Sequence, residues 1–238
     1  MGAIHFSIDP DLAALLVKTL GLTVFIESGT FQGDSVALVR PLFRELHTCE
    51  LSPELHAAAC RRFRADPAIH CHLGSSADQL RGLAERYAGQ PVLYWLDAHW
   101  CSADHTAGKE SQCPLLEELA ELMPLHPRSV VWIDDARYFM SPPPAPLVSE
   151  GWPSFQQVLE SCQRLSAGGH HLIFANDTIL LFPAEIAAVI ADYLRNHGVD
   201  WLAIAHASDD GVARRGGRRS LSGFTAFRKR IKTLLTGS

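Results

Sequence analysis

Three carboxylates at the ends of two apolar runs carry the first chemical signal in this sequence. Asp97 ends a run that continues D-A-H-W, and Asp134 and Asp135 end another that continues D-D-A-R. Such positions sit at the carboxyl ends of strands, where open α/β sheets take their ligands. Carboxylates brought together repel one another. A hard cation of the Mg²⁺ type relieves that repulsion and keeps water sites for a substrate. The competing reading makes Asp134 or Asp135 a helix cap or a partner of Arg137. His99, two residues beyond Asp97, is the candidate general base, because an imidazole titrates near working pH. Its other reading is to hold a cofactor or a core carbonyl. Trp100 beside it can stack on a ring or simply pack.

A second constellation lies earlier. The run Thr23 to Glu27 leads into E-S-G-T-F-Q-G-D-S, with Gly29 and Gly33 at the mouth of a strand and a helix to follow. Glycines there let the backbone approach a ligand, and a helix N-terminus favours negative charge. Glu50 ends the next strand, 21 residues after Gly29. A carboxylate at that edge can accept both hydroxyls of a ribose; serving the following helix as an N-terminal charge is its alternative. The two features together favour a nucleoside ligand. Ser75 and Ser76 open another helix, where they can cap it or touch a base.

These residues need a frame of alternating strands and helices. Asp9, Pro10 and Gly21 bracket a helix over 9–20. Helical periodicity follows over 33–43, 52–63, 76–87, 114–122, 153–165 and 184–196. Strands are read at 23–27, 46–51, 68–73, 91–96 and 128–133. Alternation of this kind predicts a parallel sheet with right-handed crossovers. Near residue 170 two apolar runs flank Asn176 and Asp177, a hairpin signal, so one strand is antiparallel. The fold class expected is therefore α/β, a single Rossmann-like doubly wound sheet. The polar loop from Ala98 to Cys113 is long for an α/β connection and reads as a lid. His99, Cys101, His105 and Cys113 in that loop match no compact zinc spacing.

The chain has 238 residues, 47% of them hydrophobic and 20% charged. Its apolar runs fall short of the ~20 residues of a membrane span. The first residues carry no signal-peptide pattern, which points to a cytoplasmic protein whose six cysteines are thiols. Cys49, Cys60, Cys71 and Cys162 read as small buried hydrophobes. The formal charge of −5 hides an asymmetry: beyond Asp210 there are eight basic residues and no acidic one. The rest holds 13 basic residues against 26 acidic ones, a balance of −13. The expected division is a catalytic domain over 1–210, with an N-terminal helix inside 1–22, and a basic tail over 211–238. Such a tail can fold on its own acidic body or bind a polyanion. No nucleic-acid-binding module and no N-P-P-Y-type motif accompanies it. Homo-oligomerisation stays open.

Taken in order, E-S-G-T-F-Q-G, C-E-L-S, G-S-S, L-D-A-H-W and I-D-D-A-R resemble the class I S-adenosylmethionine-dependent methyltransferases. The set is most similar to the metal-dependent O-methyltransferases of the catechol and macrocin types, over roughly residues 20–185. The resemblance implies a mostly parallel sheet of seven strands, with an antiparallel last one. It implies that Glu27, Gly29, Thr30, Gly33 and Ser35 line the methionine end of the cofactor, that Glu50 holds the ribose and that Ser76 touches adenine. It further implies that Asp97, Asp134 and Asp135 bind the cation and that the acceptor is a small hydroxylated molecule. The chain departs from the catechol pattern in three places. Cys101 follows His99 and Trp100 where a catalytic lysine is usual, Asp135 stands where asparagine is usual, and Ser75-Ser76 lacks an acidic partner. The alternative is a cofactor- or metal-binding relative with a different tailoring chemistry or none.

Overall fold

Apolar β-branched and aromatic runs bounded by glycine and proline form the strands expected of them. In this computed structural model, which describes residues 8–101, 106–109, 111–166 and 168–198, these are β1 (Val24–Ser28), β2 (Glu45–Glu50), β3 (Ile69–Leu73), β4 (Val92–Leu96), β5 (Val130–Ile133), β6 (His170–Ala175) and β7 (Thr178–Pro183). The helices are α1 (Pro10–Leu20), α2 (Asp34–Val39), α3 (Pro53–Phe63), α4 (Ser76–Arg86), α5 (Leu115–Glu121), α6 (Arg137–Met140), α7 (Phe155–Ser166) and α8 (Ala187–His197). The capping expected at α1 is present: the Asp9 carboxylate accepts from the Asp11 and Leu12 amides, and Gly21 closes the helix in the left-handed region.

The seven strands form one sheet in the order β3-β2-β1-β4-β5-β7-β6. β1 through β5 are parallel, and β7 runs antiparallel between β5 and β6. The β6–β7 hairpin turns at Asn176, which takes φ +58° as a tight turn between twisted strands requires. Every residue of β1, β4 and β5 is buried, which is why these strands read as continuous apolar runs without alternation. One face, with Phe25, Trp95 and Trp132, packs under α1, α2 and α8. The other, with Ile26, Tyr94 and Val131, packs under α4, α5 and α7.

The chain runs outward from β1 through β2 and β3, then returns to start again at β4. The sheet therefore reverses its winding between β1 and β4, and the loops after those strands part to leave a crevice at their carboxyl ends. Among the described residues no helix is long and apolar enough to cross a membrane. The basic tail over 211–238, and with it the expected boundary at residue 210, lies outside the described residues. None of the six cysteines is in a disulfide. Cys49 and Cys162 are buried as expected, but Cys60 is exposed and Cys71 half-buried. Cys60 lies on α3, which buries only Ala59 fully, and Cys71 lies on edge strand β3, which has no fully buried residue.

Candidate active site

A cavity of about 630 Å³ opens at the switch between β1 and β4, a size typical of small-molecule sites. Its first wall is built by the turn after β1. Gly29 takes φ +81°, and a Cβ there would lie 2.2 Å from the carbonyl oxygen of Asp97, so only glycine lets the two strand ends meet. Gly33, at φ +79°, is needed for another reason: a Cβ would press 2.7 Å from the Phe63 ring. Phe31 adopts φ +45° between them and donates its amide to Glu50 Oε2 at 2.9 Å. Glu50 Oε1 accepts from the Ser52 amide, also at 2.9 Å. Two backbone donors thus fix the Glu50 carboxylate at the cavity wall.

The other residues expected around the cofactor divide into two sets. Gly29, Ser75, Ser76 and Trp100 line the cavity. Ser75 precedes α4 without making a side-chain cap, while the Ser76 hydroxyl bonds the buried Glu118 carboxyl. Glu27, Thr30, Gly33 and Ser35 are not among the lining residues. Glu27 is buried, receives the Thr48 hydroxyl and bonds Ser35. Thr48 in turn meets the Thr30 hydroxyl at 2.6 Å. Burial, with the charge of Glu50, pushes the Glu27 carboxyl up to about 8 against the hydroxyls that favour its charge.

The opposite wall carries the acidic cluster. Asp97, Asp134 and Asp135 all line the cavity, with His99 among them. His99 Nδ1 lies 3.3 Å from Asp97 Oδ1, and Nε2 lies 2.6 Å from Asp135 Oδ2. Tyr138 lies edge-on to the imidazole and Trp152 tilted against it, with ring centres 6.2 and 5.3 Å away. Asp135 adopts φ +56°, a strained conformation of the kind that gathers at functional sites. Its Oδ1 accepts from Arg137, which also binds Asp177 from the β6–β7 turn. Burial pushes the Asp135 carboxyl up, but His99 and Arg137 outweigh it and hold the group below its ordinary value. At Asp97 and Asp134 burial and crowding win, although His99 approaches Asp97 and, with Arg137, favours the charge of Asp134. Burial and the neighbouring aspartates raise Asp97 well above the usual carboxylate range and Asp134 to about 6.

The donor set therefore has two parts. Asp97 and Asp134 are crowded carboxylates of the kind that suit a hard cation. Asp134 Oδ1 accepts from the Asp135 amide at 2.8 Å. Asp135 has both oxygens engaged by cationic or titratable partners, as its alternative reading with Arg137 anticipated.

The roof depends on residues the motifs did not single out. Gln112 is buried, and its Oε1 accepts from the Val148 amide and from Trp152 Nε1 at 2.9 and 3.2 Å. Its carbonyl accepts from the Trp100 amide at 2.7 Å. One side chain thus ties the loop after β4 to the proline-rich loop before α7. The described parts of the first loop, with Trp100 and Thr106 to Gly108, line the cavity, as do Pro144 to Leu147 of the second. Below them lies Glu118, buried, with Oε1 unpartnered. Sequence periodicity held a signal here: Leu115, Glu118, Leu119 and Leu122 share the inward face, so the glutamate was marked as a polar residue at a core position. His105 lies outside the described residues.

No protein-family model and no curated protein sequence matches the chain. Solved structures do. A candidate caffeoyl-CoA O-methyltransferase from Staphylococcus aureus superposes with a TM-score of 0.51 at 14% identity, covering 73% of this chain and 83% of that one. The S-adenosylhomocysteine-bound methyltransferase PaMTH1 from Podospora anserina gives 0.50 at 15%, covering 73% and 77%. The O-methyltransferase TomG from Streptomyces achromogenes, involved in tomaymycin synthesis and solved with S-adenosylmethionine, gives 0.50 at 18%, covering 74% and 79%. This chain has the Rossmann-like methyltransferase fold. The mixed seven-stranded sheet with its reversed β7 is the architecture that the sequence motifs implied.

Proposed function

We propose that the chain is an S-adenosylmethionine-dependent methyltransferase acting on a hydroxyl of a small molecule, with a divalent cation held by Asp97 and Asp134. The observation that carries this reading is the pairing of two unlike walls across one cavity. A backbone-fixed carboxylate at the end of β2 faces a cluster of raised carboxylates and an imidazole at the ends of β4 and β5. Glu50 brings to the cavity a carboxylate able to accept from ribose hydroxyls, and Ser75 and Ser76 border the place for adenine.

When bound, S-adenosylmethionine supplies a methyl group on a sulfonium, and the cation supplies a positive charge that lowers the pKa of a bound hydroxyl. The chain's own part is alignment and proton transfer. The chain would hold an acceptor oxygen in line with that methyl group, so that the oxygen–carbon bond could form as the sulfonium sulfur takes back the electron pair of the bond that breaks. The hydroxyl proton would pass to His99, whose Nδ1 lies 3.3 Å from Asp97 and whose ring is held at Nε2 by Asp135. Asp135, neutralised by Arg137, holds the far side of the imidazole. The roof tied by Gln112 keeps water from the reacting atoms.

The test is transfer of label from S-adenosylmethionine to a panel of catechols, sugars and other polyols, with and without chelator, beside calorimetry of cofactor binding. Turnover that chelator abolishes while cofactor affinity persists supports the whole reading. Turnover that survives extensive dialysis and chelator removes the cation from it. Cofactor binding without transfer to any acceptor favours the relative with different chemistry.

A further inference from the structure

A second cluster of ligating side chains lies at the other end of the sheet. Glu45 and His47 open β2, and His70 stands beside His47 on edge strand β3, in the pairing that turns both side chains to one face. Glu45 Oε1 lies 3.3 Å from His47 Nε2 and 3.5 Å from His70 Nε2. All the ligand atoms of this group fall within 4.8 Å of one another. Glu45 lies five positions before Glu50, about 16 Å along a strand, and none of the three lines the cavity.

We propose that Glu45, His47 and His70 form a binding site for a Zn²⁺-type transition cation, separate from the cavity, that fastens edge strand β3 to β2. Two imidazoles and one carboxylate suit such an ion rather than Mg²⁺ or Ca²⁺, which prefer oxygen alone. The two Glu45–imidazole distances agree: a tetrahedral ion with bonds of about 2.0–2.2 Å holds its ligand atoms about 3.3–3.6 Å apart. His47 also has the supporting partner that metal-bound histidines usually have. Its Nδ1 meets His72 Nε2 at 2.9 Å, and with Nδ1 as the donor there, Nε2 turns its lone pair toward Glu45 and His70. His47 is buried, while the side chains of His70 and Glu45 are 41% and 28% exposed, so an ion has a way in. Two groups stand at the site without it: Arg86 donates to Glu45 Oε1 at 2.9 Å, and the Tyr87 hydroxyl meets His47 Nε2 at 2.8 Å. Arg86 is largely exposed and is displaced into water when an ion takes its place, while the buried Tyr87 hydroxyl gives up His47 Nε2 and keeps its bond to Glu45.

The experiment is Zn²⁺ titration of the metal-free full chain by calorimetry, with Co²⁺ as a spectroscopic probe. Wild type should bind an ion at this site and show the visible absorption of tetrahedral Co²⁺. His70→Ala changes an exposed position and should weaken Zn²⁺ by more than about 100-fold, since losing a ligand costs more than the 10–100-fold of losing a supporting partner. Asp97→Asn, in the cavity, should leave this binding unchanged. Arg86→Ala should tighten it, because a competing cation is removed; a merely structural cluster would loosen without Arg86. Zn²⁺ affinity unaltered in His70→Ala, or weakened in Arg86→Ala, overturns the proposal. Neither result bears on methyl transfer, which is read at the other end of the sheet.

Discussion

The two walls of the cavity solve the problem of buried carboxylates in different ways. On the β1–β2 side, each acid is met by neutral donors: Glu50 on the wall by two backbone amides, and Glu27, which does not line the cavity, by the hydroxyls of Thr48 and Ser35. On the β4–β5 side the acids face each other, and only at Asp135 do His99 and Arg137 outweigh burial. Donors of the first kind orient an acceptor oxygen without cancelling its charge, which is what recognition of sugar hydroxyls needs. Crowding of the second kind raises proton affinity and invites positive charge, which is what proton abstraction and cation binding need. Under the proposed function, binding and chemistry fall to opposite walls, and substitutions should separate them.

The largest separation is expected at His99. His99→Ala removes the imidazole from the reacting wall and should lower kcat by roughly 10²–10⁴-fold, while the dissociation constant for S-adenosylmethionine stays within a few-fold. Single-turnover kinetics beside calorimetry measures both. Equal losses in the two quantities would merge the walls into one binding unit.

Glu50→Ala should do the reverse. Loss of charge-assisted hydrogen bonds worth roughly 1.5–3 kcal/mol predicts cofactor affinity about tenfold weaker or worse, with turnover at saturating cofactor little changed. An unaltered dissociation constant, in a variant that still melts cooperatively, would take the ribose away from Glu50.

The smallest effect concerns pH. The Glu27 carboxyl is raised from 4.5 to about 8 in the folded chain. Its contribution to stability is therefore complete below about 4.5 and is lost as pH rises through about 8. Asp97 and Asp134, also raised, act in the same direction. Thermal melts without ligand should fall between pH 5 and 8.5. Glu27→Gln should flatten that slope and melt a few degrees higher at pH 8.5, at about 2–4 °C per kcal/mol for a domain of this size. Parallel slopes in the two proteins would mean that Glu27 stays charged.

The sheet was legible because its signals are local. Strand runs, the Asp9 and Ser52 caps and the turn at Asn176 all act within a few residues, and each element formed where its pattern lay. The ends of β1, β2, β4 and β5 were legible for the same reason, since a chain that alternates strands and helices must bring them to one edge. What the sequence could not contain was the partner of each side chain at that edge. Arg137 binds Asp177 across 40 residues, Gln112 reaches Trp152 across 40, and Glu45 meets His70 across the β2–β3 pairing. Three aspartates therefore looked equivalent in the sequence, and tertiary contact divided them. Asp135 is neutralised by a cation from its own turn, while Asp97 and Asp134 are left crowded. The sequence by itself determined the order of the elements and which acids reach the crevice, because backbone propensity and hydrophobic period are short-range. Which of those acids carry a charge was decided only by folding, because desolvation and pairing depend on residues brought close in space.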